Sequence, residues 1–201
     1  MRKSLFSLFA VAIIANPVFA GKYNKTVSIG QKAPDFAGIP AVQNGHDSSL
    51  SLADAKEDVV VVVFLGNHCP AVQACEDRLI DFTNDYKGKG VKVIGIAVGA
   101  IEEDKIPGIK KYTAEKKSNY VYGYDESQAV GHAYGAAKTP EFFVLDKERK
   151  IRYMGAMDDS VMNESKVNKT YLRDAVDALL KGDKPAVEET RAVGCGVAYK
   201  K

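Results

Sequence analysis

Cysteine is scarce in this 201-residue chain, which carries only Cys69, Cys75 and Cys195. Three are too few for a disulfide-built scaffold. An excess of one charge sign is also missing. The 28 Lys and Arg residues face 26 Asp and Glu, for a formal net charge of +2. That balance provides no basic surface to hold nucleic acid or an anionic membrane. Beyond the first twenty residues no apolar run is long enough to cross a bilayer. Internal repeats and low-complexity tracts are absent. His46, His68 and His132 lie far apart, with no common zinc spacing around them. Asp158 and Asp159 form a carboxylate pair without a metal-loop pattern and read as solvated surface. No cofactor and no metal ion are expected.

What is present begins with a leader. Arg2 and Lys3 precede a short apolar stretch over residues 5–14, and Val18-Phe19-Ala20 supplies a cleavage sequence. This is the pattern of a secretory signal peptide removed after Ala20, so the mature chain is expected to be periplasmic or secreted, without membrane insertion. Cleavage removes two cations and brings the net charge to about zero. The remainder is long enough for one domain with a sizeable core. The expected organisation is a signal peptide at 1–20, a flexible arm at 21–29, a folded domain at 30–182 and a tail at 183–201 carrying Cys195.

Residues 59–65 are a continuous apolar, β-branched run ending at Gly66, as expected of a central strand buried on both faces. Val72, Cys75, Leu79, Phe82 and Tyr86 then recur at helical spacing. Residues 91–98 read as a second buried strand. Residues 104–117 read as an exposed charged helix, 120–124 as a short strand and 126–134 as a short helix closed by Gly135. Residues 141–145 and 151–154 form a hairpin, and 171–180 a last amphipathic helix. An earlier hairpin turns at Gly45. Alternating strands and helices with a late hairpin predict an α/β fold with a central mixed sheet flanked by helices and an N-terminal β-hairpin extension.

The three cysteines differ in context. Cys69 directly precedes Pro70, and proline is favoured at the first helical position. Cys69 is therefore the expected N-cap, beyond the carboxyl end of a central strand where α/β ligand sites form. Free backbone N–H groups and the helix dipole there favour a thiolate and lower the thiol pKa. His68 is the adjacent candidate base. Cys75 falls on the apolar stripe and reads as core. A bond from it to Cys69 would have to span about 9 Å of helix. Cys195 lies between Gly194 and Gly196 on the tail. It is either a resolving thiol that reaches back to Cys69 or an exposed one, and the local pattern does not choose between these. The odd count leaves at least one thiol free or bonded between molecules.

Val62-Val63-Phe64-Leu65-Gly66-Asn67-His68-Cys69-Pro70 with Glu76-Asp77-Arg78 resembles the redoxin branch of the thioredoxin superfamily. It is most similar to the peroxiredoxin-like group of the alkyl hydroperoxide reductase and thiol-specific antioxidant proteins. Tyr134-Gly135-Ala136, Thr139-Pro140, Asp146-Lys147, Tyr153-Met154-Gly155 and Gly194-Cys195 extend the similarity across residues 30–195. The resemblance implies a thioredoxin-like fold and a cis Thr139–Pro140 bond facing Cys69, with Thr139 offering its backbone to a bound thiol or peptide. Two departures stand out. Val72 and Gly66 occupy the positions where a Cys-x-x-Cys partner would sit, and Gly66 also replaces the hydroxyl residue of a peroxidatic site.

The expected function is thus an exported thiol–disulfide oxidoreductase or peroxiredoxin-like antioxidant. Its catalytic residues would be Cys69, His68, Thr139 and Pro140, with Cys195 or Cys75 resolving. Its substrates would carry a disulfide or a peroxide, and an external thiol would supply electrons. A non-catalytic binding module for a protein partner or a soft metal such as Cu(I) is the alternative.

Overall fold

The computed structural model describes residues 21–200; the leader lies outside the described residues. The chain forms β1 (Ile39–Gln43), β2 (His46–Leu50), β3 (Val59–Leu65), α1 (Pro70–Asp85) and β4 (Val91–Ala97). It continues through α2 (Ile106–Lys116), β5 (Val121–Tyr124), α3 (Ala129–Tyr134) and β6 (Lys138–Thr139). It ends with β7 (Glu141–Leu145), β8 (Ile151–Gly155), α4 (Tyr171–Leu180) and β9 (Cys195–Gly196). Seven strands make one mixed sheet in the order β2-β1-β5-β4-β3-β7-β8. β3 pairs in parallel with β4, and β4 with β5, while β7 runs antiparallel beside β3.

β3 organises the core. All seven of its side chains are buried. Val59, Val61, Val63 and Leu65 pack on one face with α1, α2 and α4, through residues such as Val72, Leu79, Ile109 and Val176. Val60, Val62 and Phe64 pack on the other with α3 and the N-terminal segment, including Val130, Tyr134 and Val27. A strand covered on both faces is necessarily apolar throughout, which is why this one was legible in the sequence. The β1–β2 extension turns at Asn44 and Gly45, both with positive φ, as a two-residue hairpin requires.

Both ends of the described residues differ from expectation. Residues 21–29 are packed down and do not form a loose arm. Glu189 accepts hydrogen bonds from the backbone N–H groups of Lys22, Tyr23 and Asn24. The Asn24 side chain donates to the Tyr134 carbonyl at 2.8 Å, and Val27 is buried. The tail, expected to lack regular structure, contains β9. That strand pairs antiparallel with β6 to form a second, two-stranded sheet, with Thr139 opposite Cys195. These contacts join residues far apart in sequence, so local periodicity carries no trace of them.

Three smaller expectations also shift. The helix expected at 104–117 begins at Ile106, and Asp104 lies in a preceding 3-10 turn, fully buried. The short helix begins at Ala129, because Gln128 takes a left-handed conformation that interrupts it. Asp158 is buried against Arg78 and is not on a solvated surface. Burying a carboxylate is tolerable only with such a partner.

Candidate active site

The loop between β3 and α1 places Cys69 at the N-cap of a helix opened by Pro70. Its sulfur is bonded to that of Cys195, with Cα atoms 6.0 Å apart across a sequence separation of 126. Cys69 is completely buried, whereas Cys195 is partly exposed. The Thr139 carbonyl oxygen lies 3.1 Å from the Cys69 sulfur, and the Thr139–Pro140 bond is cis. In the disulfide state the sulfur makes no capping hydrogen bond to α1. It is turned instead toward Thr139 and the tail. Four residues singled out in the sequence, Cys69, Thr139, Pro140 and Cys195, therefore meet at one point.

His68 and Cys75 do not join them directly. The His68 ring, about half exposed, turns to Asp104, with Nδ1 3.1 Å from Oδ2. Cys75 is a free, buried thiol whose sulfur lies 3.5 Å from the Val72 carbonyl. Burial pushes its thiol up to about 12, so it stays protonated and inert near neutral pH.

The sequence did not single out Asp104, Asn67, Tyr122 or Glu141, although all four shape the site. Asp104 Oδ1 accepts the Asn67 backbone N–H at 2.7 Å. The Tyr122 hydroxyl donates to the Asn67 side chain at 2.9 Å, and Gln73 donates to the Asn67 carbonyl at 2.8 Å. Together these contacts fix the loop just before Cys69. Burial raises the Asp104 carboxyl above its ordinary value, and the Asn67 N–H and His68 oppose that rise. Space for Asp104 comes from Gly99, where a Cβ would stand 1.7 Å from its Oδ2. A Cβ at Gly66 would meet the His68 ring at 3.2 Å, so the position of the missing peroxidatic hydroxyl is crowded. Across the site, buried Glu141 accepts from the N–H groups of Ala137 and Lys138 and so holds β6 in place. Burial raises its carboxyl too. A usable signal existed for Asn67 and Asp104, since each follows the carboxyl end of a central strand, where site residues gather.

The Redoxin family profile matches residues 28–171. The chain belongs to the Redoxin family. Two solved relatives share the architecture closely. An uncharacterised conserved protein of Geobacillus kaustophilus is 35% identical with a TM-score of 0.79, covering 86% of this chain and 93% of that one. A protein of Sinorhizobium meliloti 1021 is 32% identical, also at 0.79, covering 87% and 96%. The thioredoxin domain of a thiol-disulfide oxidoreductase from Bacteroides vulgatus aligns at a TM-score of 0.56 with 27% identity, over 71% of this chain and 99% of that domain. This redoxin therefore has the thioredoxin-superfamily fold. Among curated proteins, the thiol-disulfide oxidoreductase ResA of Bacillus thuringiensis is 27% identical over 133 residues, 66% of this chain and 71% of that protein.

Proposed function

We propose that this redoxin is an exported thiol–disulfide oxidoreductase whose redox centre is the Cys69–Cys195 pair. The observation that carries the reading is the bond itself. It joins a helix-start cysteine to a tail cysteine beside the Thr139–Pro140 backbone. The pair supplies the two sulfurs that a Cys-x-x-Cys motif would have held within α1. The similarity to ResA supports the same chemistry.

When an external thiolate breaks the bond at Cys195, Cys69 departs as the thiolate. Its place at the start of α1 favours that charge, because the helix dipole and unpaired N–H groups there are positive. His68 adjoins Cys69 in sequence, but its ring is half exposed and turned to Asp104, so no proton step is assigned to it. Reduction of peroxide is the weaker reading, since Gly66 supplies no hydroxyl to hold a peroxide.

Equilibration with glutathione redox buffers, followed by alkylation and mass spectrometry, tests the proposal. A single two-electron transition is expected for the native protein and for Cys75→Ser. It should vanish in Cys69→Ser and in Cys195→Ser. A Cys69–Cys195 bond that resists strong dithiols in the folded protein would overturn the reading. Export predicts that the protein recovered from the extracytoplasmic fraction begins at Gly21.

A further inference from the structure

The tail that carries Cys195 is anchored on both sides of it by contacts that do not need the disulfide. On the N-terminal side, Thr190 N–H donates to the Met154 carbonyl at 3.0 Å, and Met154 N–H donates to Glu188. The Thr190 hydroxyl also accepts from Ala156 N–H. On the C-terminal side, Val197 N–H donates to the Ala137 carbonyl at 3.1 Å. The Tyr199 hydroxyl donates to the Ala136 carbonyl at 2.6 Å, and its ring stacks on His132 with centroids 3.9 Å apart. Gln128 grips the backbone twice, donating to the Ala198 carbonyl and accepting from Lys200 N–H. The seat is shaped for the tail. A Cβ at Gly131 would come within 2.8 Å of the Tyr199 hydroxyl, and one at Gly194 within 2.1 Å of the Thr139 carbonyl oxygen.

Only residues 191–196 lie between these anchors. Breaking one S–S bond would leave both anchors in place, which would hold Cys195 beside Cys69 at high effective concentration. An open strand edge would accept an extended polypeptide as an added strand. Here that edge, β6, is already filled by β9.

Resting on the redox reading above, we infer that the tail stays docked in both redox states, that the centre exchanges with small-molecule thiols and disulfides in preference to extended polypeptides, and that Cys195 is the sulfur they meet. With Cys69 buried and Cys195 partly exposed, the reduced pair works in two steps. The Cys195 thiolate attacks a small disulfide RSSR. The substrate S–S bond breaks, one RS⁻ leaves and is protonated, and Cys195–S–S–R remains. The Cys69 thiolate then attacks the Cys195 sulfur, expels the second RS⁻ and restores the Cys69–Cys195 bond. Two electrons pass from the pair to the substrate, and two thiols are released.

The test uses the reduced full chain in single-turnover reactions with oxidised glutathione and with insulin. The native protein should oxidise with glutathione disulfide faster than with insulin by about tenfold or more at equal disulfide concentration. Tyr199→Ala or, independently, Gln128→Ala should shrink that preference by loosening the tail, with folding checked by circular dichroism. Cys69→Ser should accumulate a glutathione adduct on Cys195, and Cys195→Ser should form one on Cys69 at least about tenfold more slowly. Insulin oxidising the native protein as fast as glutathione disulfide would overturn the inference. So would equal adduct rates in the two serine variants, or a preference unchanged by both tail variants. If neither disulfide oxidises the native pair, the redox reading itself fails, which is distinct from its failing on the substrate class.

Discussion

Cys69 and Cys75 stand about 9 Å apart along one helix, and both are buried, yet they have opposite characters. Cys69 is at the helix start, beside the Thr139 backbone and bonded to the tail. Cys75 lies two turns further in, on the apolar stripe, with burial holding it as a neutral thiol. The residue type is the same and the solvent access nearly so. What differs is the free backbone polarity at the first turn and a second sulfur brought within bonding distance. On the proposed reading, reactivity belongs to the position, and burial in the interior of α1 suppresses it at Cys75.

The interior has its own polar cluster. Glu76 is fully buried and accepts from the hydroxyls of Ser118, Tyr120 and Tyr112. Two residues on, Arg78 is paired with buried Asp158 and donates to the Val161 carbonyl. These contacts tie α1 to α2, β5 and the loop after β8. They contain no redox partner and serve to stabilise the fold.

The sharpest way to break the contrast is to exchange serine for each cysteine. Cys69→Ser should abolish disulfide exchange and, by deleting a bond that closes a long loop, cost about 2–5 kcal/mol of stability in denaturant melts. Cys75→Ser should keep exchange intact and cost about 1–3 kcal/mol, because a hydroxyl must then be buried in the core. Loss of exchange in Cys75→Ser would erase the distinction between the two sites.

Removing Arg78 tests whether the interior is structural. Arg78→Ala leaves the Asp158 carboxylate buried and unpaired, at a cost of about 3–5 kcal/mol. The redox equilibrium of the folded variant should be unchanged. A stability loss near zero would show that the pair is not needed.

Gly194→Ala probes the helix-start region from the other side. Its new Cβ would overlap the Thr139 carbonyl oxygen, so β9 must lift from β6. The expected loss is about 1–3 kcal/mol, together with a more easily reduced Cys69–Cys195 bond. An unaltered redox equilibrium would mean that β9 pairing does not position Cys195.

The smallest effect is a change with pH. Burial raises the Glu76 carboxyl above 4.5, and the three hydroxyl donors only partly offset this. The folded state then holds this proton more tightly than the unfolded chain does. Its favourable contribution is complete below the unfolded value and is lost as pH rises through the folded one. Glu76→Gln removes the charge, its amide oxygen still accepting from Ser118 and Tyr120 while its N–H donates to the Tyr112 hydroxyl. Its melting temperature should gain on the native protein as pH rises above about 4.5. A difference that does not vary with pH would show that the charge on Glu76 carries no cost.

Much of the scaffold was legible because each element announced itself locally. β3 is apolar on both faces, α1 repeats its core residues at helical spacing, and Asn44-Gly45 accepts the positive φ of a tight hairpin. The helix-start position of Cys69 was legible for the same reason, through Pro70. Asp104 was misread as part of an exposed helix, since a charged residue near charged neighbours gives no local sign of burial. The roles of Asn67 and Tyr122 were not legible, because the bonds of Asn67 to Tyr122 and to Asp104 cross between separate elements.

The sequence by itself determined the order of strands and helices, the likeness to redoxins and the candidacy of Cys69. Only the tertiary structure decided which sulfur Cys69 meets, where the tail lies and how His68 is held. The physical reason is range. Helix starts, strand alternation and turns are set by neighbours a few residues away. The Cys69–Cys195 bond and the Glu189 contacts to residues 22–24 are set by burial and backbone hydrogen bonding between distant segments, which no local pattern encodes.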